Sequence, residues 1–303
     1  MVTGQVQESQ NILINGNRIV SMQSEEISPG AEHNFDATGR FVMPGLADMH
    51  VHLYFTNDPA NFATTDNSVL PALLANGVTT VQDLGSNCDA VKDTVQRIGH
   101  NELLGPRIFT TCEMLDGEES QFETVKRLRD PEAVENEVQK LMAQGVNRIK
   151  LWLSANWSQS RLSLADNLRK AGARMRAGTN LPQGRGLCPN GATHTELKLM
   201  VKAGFTPLQA LQSATTNAYE SLDMGSQLGT IEPGKMADMV LLRGDPVEDI
   251  NNIDTIAGVV VNGTLHGKEA LDKMLSDADV VNNLPFACGG KNAVKPRVGC
   301  CSV

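Results

Sequence analysis

Between residues 41 and 222 short apolar runs alternate with amphipathic stretches, and this alternation constrains the fold more than any other feature. Strand candidates fall at 41–53, 78–84, 108–111 and 146–153. Helical spacing fills the gaps at 66–76 and 88–98. It also runs from Pro131 to Gly145, where Val134, Val138 and the adjacent Leu141 and Met142 fall at helical spacing. Pro131 suits a first helical turn and Gly145 a helix end. A further helix–strand pair is predicted over 164–175 and 174–178, then helices over 194–203 and 207–222. The last opens with Thr206 as cap and Pro207 behind it. Such alternation builds βαβ units on a parallel sheet, an α/β class of fold.

The two ends of the chain read differently. Residues 11–22 predict a hairpin around Asn15-Gly16-Asn17. Another turn falls at Thr38-Gly39, and apolar runs return at 239–242 and 256–261. Short strands at both ends predict one small β domain contributed by both. The expected division is 1–40 and 229–267 for the small domain, 41–228 for the α/β body, and 268–303 for a helical or irregular tail.

Composition narrows the function classes. Lys plus Arg number 26 against 35 Asp plus Glu, a net charge of −9, so no basic field exists for nucleic acid. No run of about 18 apolar residues spans a membrane. The polar start lacks an apolar signal segment, which predicts a cytoplasmic protein. Six cysteines without a CxxC pair predict free thiols. The ending Cys300-Cys301-Ser302-Val303 has the length of a prenylation box with Cys300 as its thiol. Ser302 is not aliphatic and a terminal Val lies outside the usual set, so an irregular tail is favoured over lipidation.

Three features could carry chemistry. In Pro44-Gly45-Leu46-Ala47-Asp48-Met49-His50-Val51-His52, strand alternation puts Asp48, His50 and His52 on one face. Two imidazoles so placed can chelate a divalent metal, with zinc the default, or can be plain histidines at a strand end. Lys150 stands among apolar neighbours in Arg148-Ile149-Lys150-Leu151-Trp152, as a buried functional lysine or an edge-strand one. Ala177-Gly178-Thr179-Asn180 puts Asn180 at a strand's C-terminal mouth, which is either an active-site position or an ordinary turn.

Together these features resemble the amidohydrolase superfamily, in particular its imidazolonepropionase-like and prolidase-like metal-dependent hydrolases. PGLADMHVHL is similar to the first-strand metal motif, NGVTTVQDLG to the second strand, GPRIFTT to the third, GVNRIKLW to the fourth and RAGTN to the eighth. Gly229-Thr230-Ile231-Glu232-Pro233-Gly234-Lys235-Met236-Ala237-Asp238 is similar to the family's return to its small domain. The resemblance implies a TIM-type barrel with a small β-sandwich domain formed by both termini. It also implies metal-assisted hydrolysis of an amide or cyclic-amide C–N bond in a small molecule. His50 and His52 would hold one metal, and a carboxylated Lys150 would bridge to a second. Histidines on the fifth and sixth strands and an aspartate on the eighth would complete the site.

The chain departs from that pattern. Its six histidines are His33, His50, His52, His100, His194 and His266, and none falls on a fifth or sixth strand. His194 follows the eighth-strand motif at a helix start, where it could contact substrate or simply neighbour a helix cap. Residues 151–179 have room for one βα unit of about 31 residues, not four. Strands five to seven are therefore expected to be absent, with the join near 157–161. Asn180 replaces the family's aspartate, and an amide is neither a general base nor a strong metal ligand. Three outcomes are open: a diverged or internally deleted homologue with little activity, an enzyme with a reduced one-zinc site on His50, His52 and Lys150, or a non-catalytic accessory protein. A reduced site could serve hydrolysis or a non-hydrolytic step such as isomerisation or dehydration. In the accessory case a second copy of the chain would cover the open barrel edge.

Overall fold

The computed structural model describes residues 4–25, 31–54, 57, 59–112, 114–116, 125–127, 136, 139, 140, 143, 175–181 and 191–281. Lys150, the strand expected at 146–153, all of the helix expected at 164–175 except residue 175, which is not helical, and the last residues with Cys300 lie outside them. Within the helix predicted to begin at Pro131, residues 136, 139, 140 and 143 are helical.

The chain opens with the predicted hairpin, β1 (Asn11–Asn15) and β2 (Arg18–Gln23), turning at Gly16. Four antiparallel strands make the small sheet: β3 (Phe41–Pro44), β9 (Met239–Leu242), β10 (Ile256–Val261) and β11 (Thr264–Gly267), in the order β11-β10-β9-β3. β9 and β10 are buried at every position, which explains their unbroken apolar sequence. Met239 and Leu241 meet Ile19 of the hairpin on one face. The alternate residues Val240 and Leu242 join the main core on the other.

The parallel sheet holds β4 (Leu46–Val51), β5 (Val78–Asp83) and β6 (Arg107–Thr110) in that order. A helical crossover leads from β4 to β5: α1 (Pro59–Thr64), a π-helical turn (Thr65–Val69) and α2 (Leu70–Ala75). α3 (Cys88–Gly99) leads from β5 to β6, with the Asn87 side chain accepting from Ala90 N–H as its cap. Residues 175–181 run along the other edge of β4, where Met49 donates its N–H to the Ala177 carbonyl and Val51 pairs with Leu181 in parallel. β4 thus has β5 on one edge and residues 175–181 on the other. A short parallel pair, β7 (Met114–Asp116) and β8 (Val125–Arg127), follows β6.

Three helices follow: α4 (Ala192–Lys202), α5 (Pro207–Ser213) and α6 (Thr216–Ser221). Thr206 and Gln209 close a capping box on α5, as Thr206-Pro207 predicts. α7 (Lys268–Val281) lies against α2, β10 and β11. No helix among the described residues is long and apolar enough to cross a membrane.

Three local expectations change. The single strand over 41–53 is two strands in two sheets. The chain crosses at Gly45, where a β-carbon would lie 2.1 Å from Thr79 Oγ1. The helix over 207–222 breaks at Ala214–Thr215 into α5 and α6. Cys88 and Cys112 form a disulfide rather than free thiols. Spacing of 24 residues carried no sign of it, because β5 and β6 bring the two loops together only in three dimensions.

Candidate metal centre

The site is built at the C-terminal end of β4. His50 is half-buried and His52, just past the strand, is fully buried. His52 Nδ1 lies 2.8 Å from the carbonyl of Gly85. A carbonyl only accepts, so Nδ1 carries the proton and Nε2 keeps its lone pair. That Nε2 faces His50 Nε2 at 3.2 Å, with the rings edge to face. Two nitrogens held by one tetrahedral zinc at 2.0–2.1 Å stand about 3.3 Å apart. The separation and the tautomer both suit a shared divalent metal, and the backbone carbonyl behind His52 is the usual support for a metal-binding imidazole.

Gly85 is held by the residue that ends β5. The buried carboxylate of Asp83 accepts from Leu53 N–H at 2.9 Å, from Thr110 Oγ1 at 3.1 Å and from Ser86 Oγ. It thereby ties the residue after His52, the loop after β5 and the end of β6 to one point. Burial pushes the Asp83 carboxyl up, while Ser86, the Leu53 amide and His52 pull it back. Asp83 was not among the residues singled out by sequence. The available signal was its place as the last residue of a parallel strand, at the edge where such sheets carry their sites.

Asp48 is also fully buried, but its carboxylate is taken up by the eighth-strand segment and α4 rather than offered to a ligand. It accepts from Thr179 N at 3.0 Å, Thr179 Oγ1 at 2.6 Å, Thr193 Oγ1 at 3.2 Å and His50 N at 3.2 Å. Burial raises this carboxyl and the donors, Thr179 foremost, oppose the rise. Asp48 clasps 177–181 against β4.

Asn180 sits beside the pair. Its N–H donates to the His50 carbonyl at 2.6 Å, and its backbone is left-handed, φ 63°. Its side-chain oxygen is buried without a hydrogen-bond partner among the described residues. An orphaned acceptor at such a place marks a position where a cation or a donor would be welcome. Among the described residues no group of three or more His, Cys, Asp or Glu side chains comes together to hold a metal. His50 and His52 are brought together, Asn180 is beside them, and Lys150 lies outside the described residues.

His194 is placed elsewhere. Its ring is buried in α4, with Nε2 2.9 Å from the Asn76 carbonyl and Nδ1 3.1 Å from Asp254. Asn76 precedes β5 and Gly85 follows it, so this ring is at the opposite end of the parallel strands from His52. It lines a separate cavity of about 260 Å³ with Asp254, Lys268 and Leu271.

The amidohydrolase family model matches residues 41–165 and 158–266, two stretches that overlap over 158–165. Adenine deaminase of Clostridium botulinum (strain Loch Maree / Type A3) is 35% identical over 75 residues, 25% of this chain and 12% of the relative. Imidazolonepropionase of Paenarthrobacter aurescens (strain TC1) is 47% identical over 47 residues, 16% of this chain and 12% of the relative. The matches thus span about an eighth of these relatives' length. Among solved structures, a Xaa-Pro dipeptidase with bound methionine in the active site shares the fold at a TM-score of 0.67 and 18% identity, covering 88% of this chain and 96% of that one.

Proposed function

The chain belongs to the amidohydrolase family, and on that premise we propose that it hydrolyses an amide or cyclic-amide C–N bond of a small molecule with one divalent metal held by His50 and His52. The observation that carries this is the convergence of the two Nε2 atoms at 3.2 Å with the His52 tautomer fixed from behind. By the family resemblance Lys150 would be the third ligand, and Asn180 takes the place of the family's aspartate. Zinc is the default metal for imidazole ligands, and when bound it supplies Lewis acidity toward a carbonyl.

The protein's own residues then divide the work. His52 is oriented by Gly85, and Asp83 keeps that loop and Leu53 in register. Asp48 and the Asn180 amide hold the eighth-strand segment against His50. Asn180 cannot take a proton, so the general-base role of an aspartate at that place is lost and slow hydrolysis is expected. A positioned base contributes 10²–10⁴-fold, and this is the factor the chain forgoes.

Asn180 also favours a second reading, in which the chain performs a non-hydrolytic step or serves as an accessory. One experiment separates the two. Chelator-stripped and zinc-loaded protein, with and without Asn180→Asp, is assayed for C–N hydrolysis. Adenine, an imidazolone and a Xaa-Pro dipeptide, taken from the relatives' names, form the first panel. Hydrolysis that needs metal and rises 10²-fold or more in Asn180→Asp supports the hydrolase. No turnover by either metal-loaded form, on this panel or a wider one of N-acyl and lactam substrates, supports the accessory reading.

A further inference from the structure

The Cys88–Cys112 disulfide lies next to the loop whose Gly85 carbonyl meets His52. Cys88 opens α3, three residues after Gly85, and Cys112 follows the end of β6 by two residues. Between them Ser86 N–H donates to the Cys112 carbonyl at 3.0 Å, and Cys112 N–H donates to Thr110 Oγ1 at 2.8 Å. That same Thr110 hydroxyl donates to Asp83, which also holds Ser86. The covalent bond and these hydrogen bonds fasten the 85–88 loop to the β6 end. The carbonyl that fixes the His52 ring belongs to this fastened loop.

Cys112 itself is held in a strained conformation. Its backbone is left-handed, φ 57°, while the residue is fully buried. A β-carbon disfavours that conformation, and it persists where the surroundings pin it.

We propose that Cys88–Cys112 is a redox-responsive staple that sets the orientation of His52, and through it the metal affinity of the site; this rests on the reading of His50 and His52 as metal ligands. A dithiol reductant opens it. Cys88 is partly exposed and Cys112 fully buried, so attack falls on the Cys88 sulfur. One thiolate of the reductant bonds to Cys88 and the S–S bond breaks, leaving Cys112 as a thiolate that takes up a proton. The reductant's second thiolate then closes its own disulfide and expels Cys88 as a thiolate. Two electrons pass from the dithiol to the protein, and two cysteine thiols result. Cys88 sits at a helix N-terminus, which favours the thiolate product. With the staple open, Cys112 relaxes from its left-handed backbone, the Ser86–Cys112 hydrogen bond loosens, and Gly85 no longer holds His52 in one pose.

The test compares the full chain, oxidised and after dithiothreitol treatment, with a Cys88→Ala variant. Mass after alkylation counts the thiols, amide exchange reads Ser86, ring-nitrogen NMR reads His52, and Co²⁺ titration reads the site. Two additional alkylated cysteines after reduction are expected, with Ser86 exchange at least tenfold faster, loss of the single His52 tautomer and Co²⁺ affinity at least tenfold weaker. Cys88→Ala should match the reduced protein. The staple is overturned if all six cysteines are alkylated without reductant, or if reduction changes neither Ser86 exchange nor the His52 tautomer. Co²⁺ affinity indifferent to His50→Ala, with the Ser86 and His52 signals still shifting on reduction, would contradict the metal reading and leave the staple's hold on His52 supported.

Discussion

The backbone N–H of Asn180 meets the carbonyl of His50 at 2.6 Å, so the residue proposed to take the place of the family's aspartate is clamped to a proposed metal ligand through the main chain. The clamp depends on close approach of the two strands. Gly178 makes that approach possible, since a β-carbon there would lie 2.8 Å from His50 Cβ and 3.2 Å from His50 N.

Gly178→Ala therefore forces 177–181 away from β4. Neither contacted atom belongs to a flexible side-chain end, so the strands themselves must shift. A loss of about 1–3 kcal/mol in urea unfolding is expected, as for overpacked interiors. Gly99→Ala, at the end of α3 with nothing within 4 Å, should instead gain about 0.4–1 kcal/mol. Equal effects of the two substitutions would contradict the clamp.

Asp83→Asn keeps the shape of the side chain and removes acceptor capacity at a point where Leu53, Ser86 and Thr110 all donate. Leaving buried donors without an acceptor costs about 1–3 kcal/mol. The variant should unfold at lower urea and show increased exchange of the Leu53 amide. An unchanged midpoint would show that the cluster contributes nothing to the loop after β5.

Asp254 gives a pH signature at the other end of the strands. His194 foremost, and then Lys198, hold its carboxyl down to about 2 against the upward push of partial burial. A depressed folded pKa contributes stability above the unfolded value near 4 and loses it as pH falls toward 2. The side chain is 52% exposed, so screening limits the contribution to about 1 kcal/mol or less. The gap in thermal midpoint between the natural protein and Asp254→Asn should be present at pH 5 and gone near pH 2. A gap that stays constant would exclude the ion pair as its origin.

Local pattern made parts of the molecule legible. Strand alternation in Asp48-Met49-His50-Val51-His52 puts the two imidazoles together, and Thr206-Pro207 marks a helix start. The strand expected over 174–178 is not regular in the structure: 175–181 run beside β4 on separate backbone hydrogen bonds and one bridge at Leu181. What local pattern could not show was use. Asp48 shares the strand with the histidines, yet its charge is consumed by Thr179 and Thr193, which come from 131 and 145 residues away. Asp83 and the Cys88–Cys112 bond were missed for the same reason, because their partners are neighbours only after β5 and β6 pair. Gly45 shows the converse: a single residue ends one sheet and begins another without breaking the apolar run that a sequence reader sees.

The central claim is that His50 and His52 hold one divalent metal. Chelator-treated protein titrated with zinc, alongside His50→Ala and His52→Ala, tests it most directly. The account predicts one zinc per chain, with affinity falling at least tenfold in either variant while the fold is retained by circular dichroism. No zinc bound by the natural protein, or equal binding by all three proteins, would contradict it.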